Sequence, residues 1–143
     1  MVKIVPYEPE HAFMIDVQES QMNRIKDFMG MAEAKMLAEH EAYSAFVGDE
    51  CIGCSGIIDC GMGRGQAWAI LGRYSGKQFV AVIRAIERML DVSGYRRVEM
   101  ACDVDFAPAH RLAMLLGFMP EARMSQYFAV DKDAILYTRL NNG

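Results

Sequence analysis

The sequence predicts an α/β fold of one domain, with a mixed central sheet flanked by helices in the order β-α-α-β-β-β-α-β-α-β-β. Three observations carry this. Short apolar runs of strand type are interleaved with segments whose apolar residues recur every three or four positions. Glycines at 30, 48, 94 and 117 punctuate the boundaries. The 143 residues are enough to bury a core without staples, and no repeat, low-complexity run or linker divides residues 1–143 into smaller parts.

Taken in order, Val2 to Val5 is a short strand stopped by Pro6. Glu8 to Phe28 carries Phe13, Val17 and Ile25 at helical intervals, and Ala32 to Glu41 is rich in strong helix formers. Ala42 to Val47 and Cys51 to Ile58 read as strands around the turn Gly48-Asp49-Glu50. Gly61-Met62-Gly63-Arg64-Gly65 looks superficially like a dinucleotide fingerprint, but such a loop must open a helix, and Gln66 to Leu71 reads as a strand. The segment is predicted to be a hairpin.

Gly76 to Val92 is the clearest helix. Phe79, Val82, Ile83, Ile86, Met89 and Leu90 form one apolar stripe, Ser75 suits the N-cap, and Gly94 suits the stop. Arg97 to Cys102 follows as a strand and Pro108 to Leu116 as a short helix ended by Gly117. Strands near Met124 to Val130 and Ala134 to Leu140 close the chain around Asp131-Lys132-Asp133.

Hydrophobic residues at 52% and charged residues at 24% describe an ordinary globular composition. A formal net charge of −4 argues against broad nucleic-acid or anionic-membrane binding. No apolar run approaches the roughly 20 residues that span a bilayer, and the first residues read as a strand, not a signal core. A soluble, cytoplasmic protein is expected. Cys51, Cys54, Cys60 and Cys102 are then expected to be reduced, buried thiols, since no second ligand pair completes a zinc set around Cys51-Ile52-Gly53-Cys54. His11 and His40 are expected at the surface. The twelve methionines, several on the early helices, suit an adaptable face and make self-association plausible.

One segment carries chemistry. Arg73-Tyr74-Ser75-Gly76-Lys77-Gln78 runs from a strand directly into the long helix. Unpaired first-turn N–H groups and the helix dipole make such a start an anion site. Lys77 is slightly unfavourable against that dipole unless an anion is present.

The order of elements resembles the GCN5-related N-acetyltransferase (GNAT) superfamily over nearly the whole chain. Ile52-Gly53 after a hairpin turn is similar to its third strand. Arg73-x-x-Gly76-x-Gln78 is similar to its pyrophosphate loop, and Ala109, Leu112, Leu116-Gly117-Phe118 and Glu121-Ala122 resemble its closing motif. The resemblance implies acetyl-CoA as co-substrate, held by Arg73, Tyr74, Ser75, Gly76, Lys77 and Gln78, and direct attack of an unknown amine on the thioester. Two departures matter, one for binding and one for catalysis. Gln78 replaces a small residue where backbone must approach phosphate, which weakens binding in expectation, although its amide could instead donate a hydrogen bond to phosphate. Ala113 stands where the family often has a tyrosine that protonates the departing thiolate, and Phe106 aligns with a common asparagine.

Acetyl transfer needs a held donor, a neutral amine and a stabilised oxyanion. Asp59, Glu99 and His110 are the candidate bases, and Tyr127 and Cys102 the replacement acids. Trp68, on the strand lining the implied cleft, is either core or platform. Two readings follow: an N-acetyltransferase, or a non-catalytic GNAT fold serving as a binding or structural module. A sensor that binds CoA without turnover lies between them. Trp68 with Arg73 to Lys77 also resembles GNAT-like internal virion proteins of short-tailed phages, which would make phage particle proteins its partners and the virion its location.

Overall fold

Seven strands form one mixed sheet in the order β1-β2-β3-β4-β5-β7-β6 in a computed structural model of the chain. The structure describes residues 1–16, 30–73 and 76–141. The elements are β1 (Val2–Pro6), α1 (His11–Met14), α2 (Met31–Leu37), β2 (Glu41–Val47), β3 (Glu50–Gly61) and β4 (Arg64–Leu71). Then come α3 (Gly76–Val92), β5 (Arg97–Asp103), α4 (Ala107–Leu115), β6 (Met119–Ala129) and β7 (Lys132–Leu140). This is the predicted order. Most of the helix predicted from Glu8 to Phe28 lies outside the described residues. No described helix is long and apolar enough to cross a membrane.

The described residues divide into two compact units, Met1–Ile58 with Trp68–Val92, and Asp59–Ala67 with Ser93–Gly143. In the first, β2 pairs antiparallel with both β1 and β3. Pro6 is tolerated because β1 is an edge strand, where a missing N–H leaves no ladder bond unmade. The predicted helix 32–41 ends early, at Leu37, because Glu41 is already paired with Ile57 in the sheet. Val82, Ile83, Ile86, Met89 and Leu90 are the buried face of α3, as the periodicity predicts.

A bulge shapes the other face. Ala45 pairs with Gly53 but Phe46 pairs with Cys51, so Ile52 is an extra residue in β3. Residues three apart in a regular strand point to opposite faces. Here the bulge brings Cys51 and Cys54 together, with sulfurs 4.0 Å apart and both side chains buried. Cys54 Sγ lies 3.3 Å from Ser44 Oγ, which lies 2.8 Å from His11 Nδ1. The hydrogen bond to Cys51, and then burial, push the Cys54 thiol well above its ordinary range. His11 is therefore not a surface residue: it is 8% exposed, held by Ser44 and by Glu8, whose carboxylate is 3.3 Å from Nε2. Cys102 is buried as expected, whereas Cys60 is exposed and departs from the expectation.

In the second unit β5 runs parallel to β4 for three residue pairs, Arg64 to Gln66 with Arg97 to Glu99. On its other side β5 pairs antiparallel with β7 along its whole length. The predicted hairpin at Gly61 to Gly63 is present, with Gly61, Met62 and Gly63 all at positive φ and β4 following directly. That geometry removes the dinucleotide reading. α4 ends in a Schellman motif: Phe118 N–H donates to Ala113 O at 2.9 Å, Gly117 N–H to Met114 O at 3.1 Å, and Gly117 takes φ +86°. Phe118, the residue that makes the apolar contact of this motif, is 1% exposed. β6 begins at Met119, five residues before the predicted Met124.

Candidate functional site

The anion cradle proposed from sequence is built on the β4–α3 connection. Two backbone bonds fix its approach: Gly72 N–H donates to Ile52 O at 2.9 Å and Arg73 N–H to Asp16 O at 3.2 Å. Gly72 must be glycine, since a Cβ there would lie 2.9 Å from Ile15 Cγ2 and 3.0 Å from Ile52 O. Tyr74 and Ser75 lie outside the described residues. α3 then starts at Gly76 with no acidic residue in its first turn, so that turn carries no acid of its own to offset the positive end of the dipole. Arg73, Gly76 and Lys77 are exposed and Gln78 is half-buried.

Gly76 differs from Gly72. Its φ is outside the left-handed region and an added Cβ would meet no atom of the described residues within 4 Å. Neither its backbone conformation nor packing against the described residues asks for glycine there. A bare backbone at the helix start leaves room for a group from outside the chain to come close.

The candidate catalytic residues are not gathered. Asp59 is exposed at the end of β3, where its Oδ1 accepts Gly61 N–H at 2.8 Å and braces the hairpin. Glu99 sits in an ion-pair chain on the sheet: its Oε2 is 2.8 Å from Arg97 Nε and 3.5 Å from Arg64 Nε. Arg97 also binds Glu121, and that bond, with the charge of Arg97 beside it, holds the Glu121 carboxyl below its usual range. Tyr127 is exposed in an irregular stretch of β6, edge-on to Phe128 at 5.0 Å. Cys102 is buried, its thiol 3.7 Å from Ala109 O.

His110 alone has a built environment. Its Nε2 lies 2.9 Å from Asp103 O and its Nδ1 2.8 Å from Tyr137 Oη. A carbonyl can only accept, so Nε2 carries the proton and Nδ1 accepts from the tyrosine hydroxyl. Burial raises the Tyr137 pKa, which keeps that hydroxyl protonated as a donor. The pairing joins residues 27 apart in sequence; the sequence carried no sign of Tyr137 as a partner. Tyr137→Phe should leave Nδ1 without its donor and cost about 1–2 kcal/mol, read by chemical denaturation. Ala113, in the position of the family's usual tyrosine, is fully buried. No cluster of three or more metal-binding side chains occurs among the described residues.

The chain matches no family model and no curated protein sequence. Solved structures do match along the whole chain. A GNAT-family acetyltransferase from Streptococcus pneumoniae superposes with TM-score 0.74 at 16% identity, covering 99% of this chain and 100% of that one. A GNAT-family acetyltransferase from Bacillus anthracis gives 0.72 at 11%, covering 97% and 94%. A spermidine N-acetyltransferase chimera from Vibrio cholerae and hSSAT gives 0.73 at 14%, covering 97% and 95%. The fold is that of the GNAT acetyltransferases. Identities this low establish the fold and leave activity to be argued from the site.

Proposed function

We propose that the chain binds acetyl-CoA at the start of α3 and acts as an N-acetyltransferase on an amine acceptor. The observation that carries this is Gly76, a glycine that nothing among the described residues requires, at an exposed helix start with no acid in its first turn. The residues fit a pyrophosphate: the first-turn N–H groups of Gly76 and Lys77 would donate, and Arg73 and Lys77 would supply charge. Tyr74 and Ser75 complete the loop in sequence. Acetyl-CoA would bring an acyl group already activated as a thioester. What the chain contributes is position, because holding donor and amine together converts an encounter into a local reaction.

A second reading, a GNAT fold that binds without turnover, is favoured by three residues of the second unit. Ala113 is buried and cannot donate a proton. Both nitrogens of His110 are engaged, and Glu99 is tied to arginines. Phage particle proteins would be its partners only under this reading.

Calorimetric titration with acetyl-CoA, CoA and desulfo-CoA separates the readings. Micromolar binding of all three supports the cradle, and thiol release with an amine panel then supports turnover. Binding without thiol release leaves the non-catalytic reading. No binding at millimolar ligand overturns the cradle itself.

A further inference from the structure

A cleft of about 360 Å³ lies between α3 and the face of β1, β2 and β3 that α3 covers. Small residues face it from both sides, Ala45 from the sheet and Ala85 from the helix. Val82, Ile86 and Met89 on the helix and Leu71 on β4 complete the apolar lining. Close-packed interiors do not carry such a void, and its volume lies in the range of small-molecule sites.

The cleft is not sealed. Ile4 and Tyr43 in its lining are 42% and 40% exposed, and Val92 is 69% exposed. β1, which carries Ile4, is the last strand of the sheet. Arg88 is the only charged residue in the lining among the described residues, and no described carboxylate forms an ion pair with it. Arg84, one turn earlier, adds a second positive charge to that helix face. The hydroxyl of Tyr43 reaches Glu41 at 3.5 Å and that of Ser55 donates to Trp68 O at 2.8 Å, so Arg88 remains as the polar anchor.

We propose that this cleft binds a medium-chain carboxylate, its alkyl chain between α3 and the sheet and its carboxylate on Arg88. An apolar slot with one cation at its rim fits a molecule with one anionic end. The site is separate from the cradle at Gly76 and does not depend on acetyl-CoA binding.

Titration calorimetry of the full chain with decanoate, with decanol and decyltrimethylammonium as controls, tests it. Decanoate should bind below millimolar, decanol more weakly, and the cation weakest. Arg88→Glu, a change at an exposed position, should weaken decanoate at least about tenfold while leaving decanol within about twofold. Ala85→Phe should fill the slot and remove both, and Gly76→Glu should change neither. Decanoate binding unaffected by both Arg88→Glu and Ala85→Phe would overturn the proposal. So would absence of binding up to the ligand's solubility, or a sedimentation experiment showing a dimer that Ala85→Phe dissolves, since a second copy would then be the occupant.

Discussion

Glutamate in place of Gly76 should abolish acetyl-CoA binding, a loss of at least about a hundredfold, or roughly 2.7 kcal/mol. The carboxylate would stand at the first-turn N–H groups and repel the phosphates that those groups would otherwise receive. The fold should not suffer. An added Cβ meets nothing within 4 Å, and an acid at a helix start favours the dipole by about 0.3–1 kcal/mol. Binding and stability should therefore move in opposite directions. Gly76→Ala should show the same divergence in milder form, stabilising by about 0.4–1 kcal/mol through a less flexible unfolded chain while weakening binding. Calorimetry and chemical denaturation on the same three proteins read both quantities. Unchanged affinity in Gly76→Glu would remove the start of α3 from the binding site.

The sequence shows the helix from Gly76 to Val92 residue for residue, because its apolar stripe is long and its period unambiguous. The Schellman stop at Gly117 was equally visible, since a left-handed residue after an apolar run has few other uses. The misses share a cause. The bulge at Ile52 depends on how β3 registers against β2, and register is a property of two strands together. Without it, Cys51 and Cys54 cannot be placed on one face, nor Ser44 and His11 connected to them. β6 starts early because Pro120 is acceptable in an edge strand, although Pro and Glu together read as a loop. The start of α3 at Gly76 was legible locally. The engagement of His110 by Tyr137 was not, because an acceptor and its donor lie on different elements.

Gly56→Ala should be the most destabilising alanine substitution among the three glycines at 53, 56 and 76, at about 3 kcal/mol, the upper end of overpacking costs. A Cβ at Gly56 would lie 2.5 Å from Glu41 O, 2.7 Å from Ala42 Cβ and 2.9 Å from Trp68 Nε1. None of these can retreat cheaply. Glu41 and Ala42 are fixed in the ladder opposite Ile57 and Gly56. The Trp68 indole is held edge-on by Tyr7 at 5.3 Å, whose hydroxyl is in turn bound to Ala34 O at 3.1 Å. At Gly53 an added Cβ would sit 3.3 Å from Ile70 O and 3.4 Å from Leu71 Cδ2, a squeeze worth about 1 kcal/mol. At Gly76 it would meet nothing. The order of denaturation midpoints, Gly56→Ala below Gly53→Ala below Gly76→Ala at constant slope, thus follows from what an added Cβ would meet at each position among the described residues. A loss under about 1 kcal/mol for Gly56→Ala would mean that Trp68 does not pack against β3 as described. The indole would then be free to act as a platform for a ligand, whereas here it packs half-buried against the core cluster.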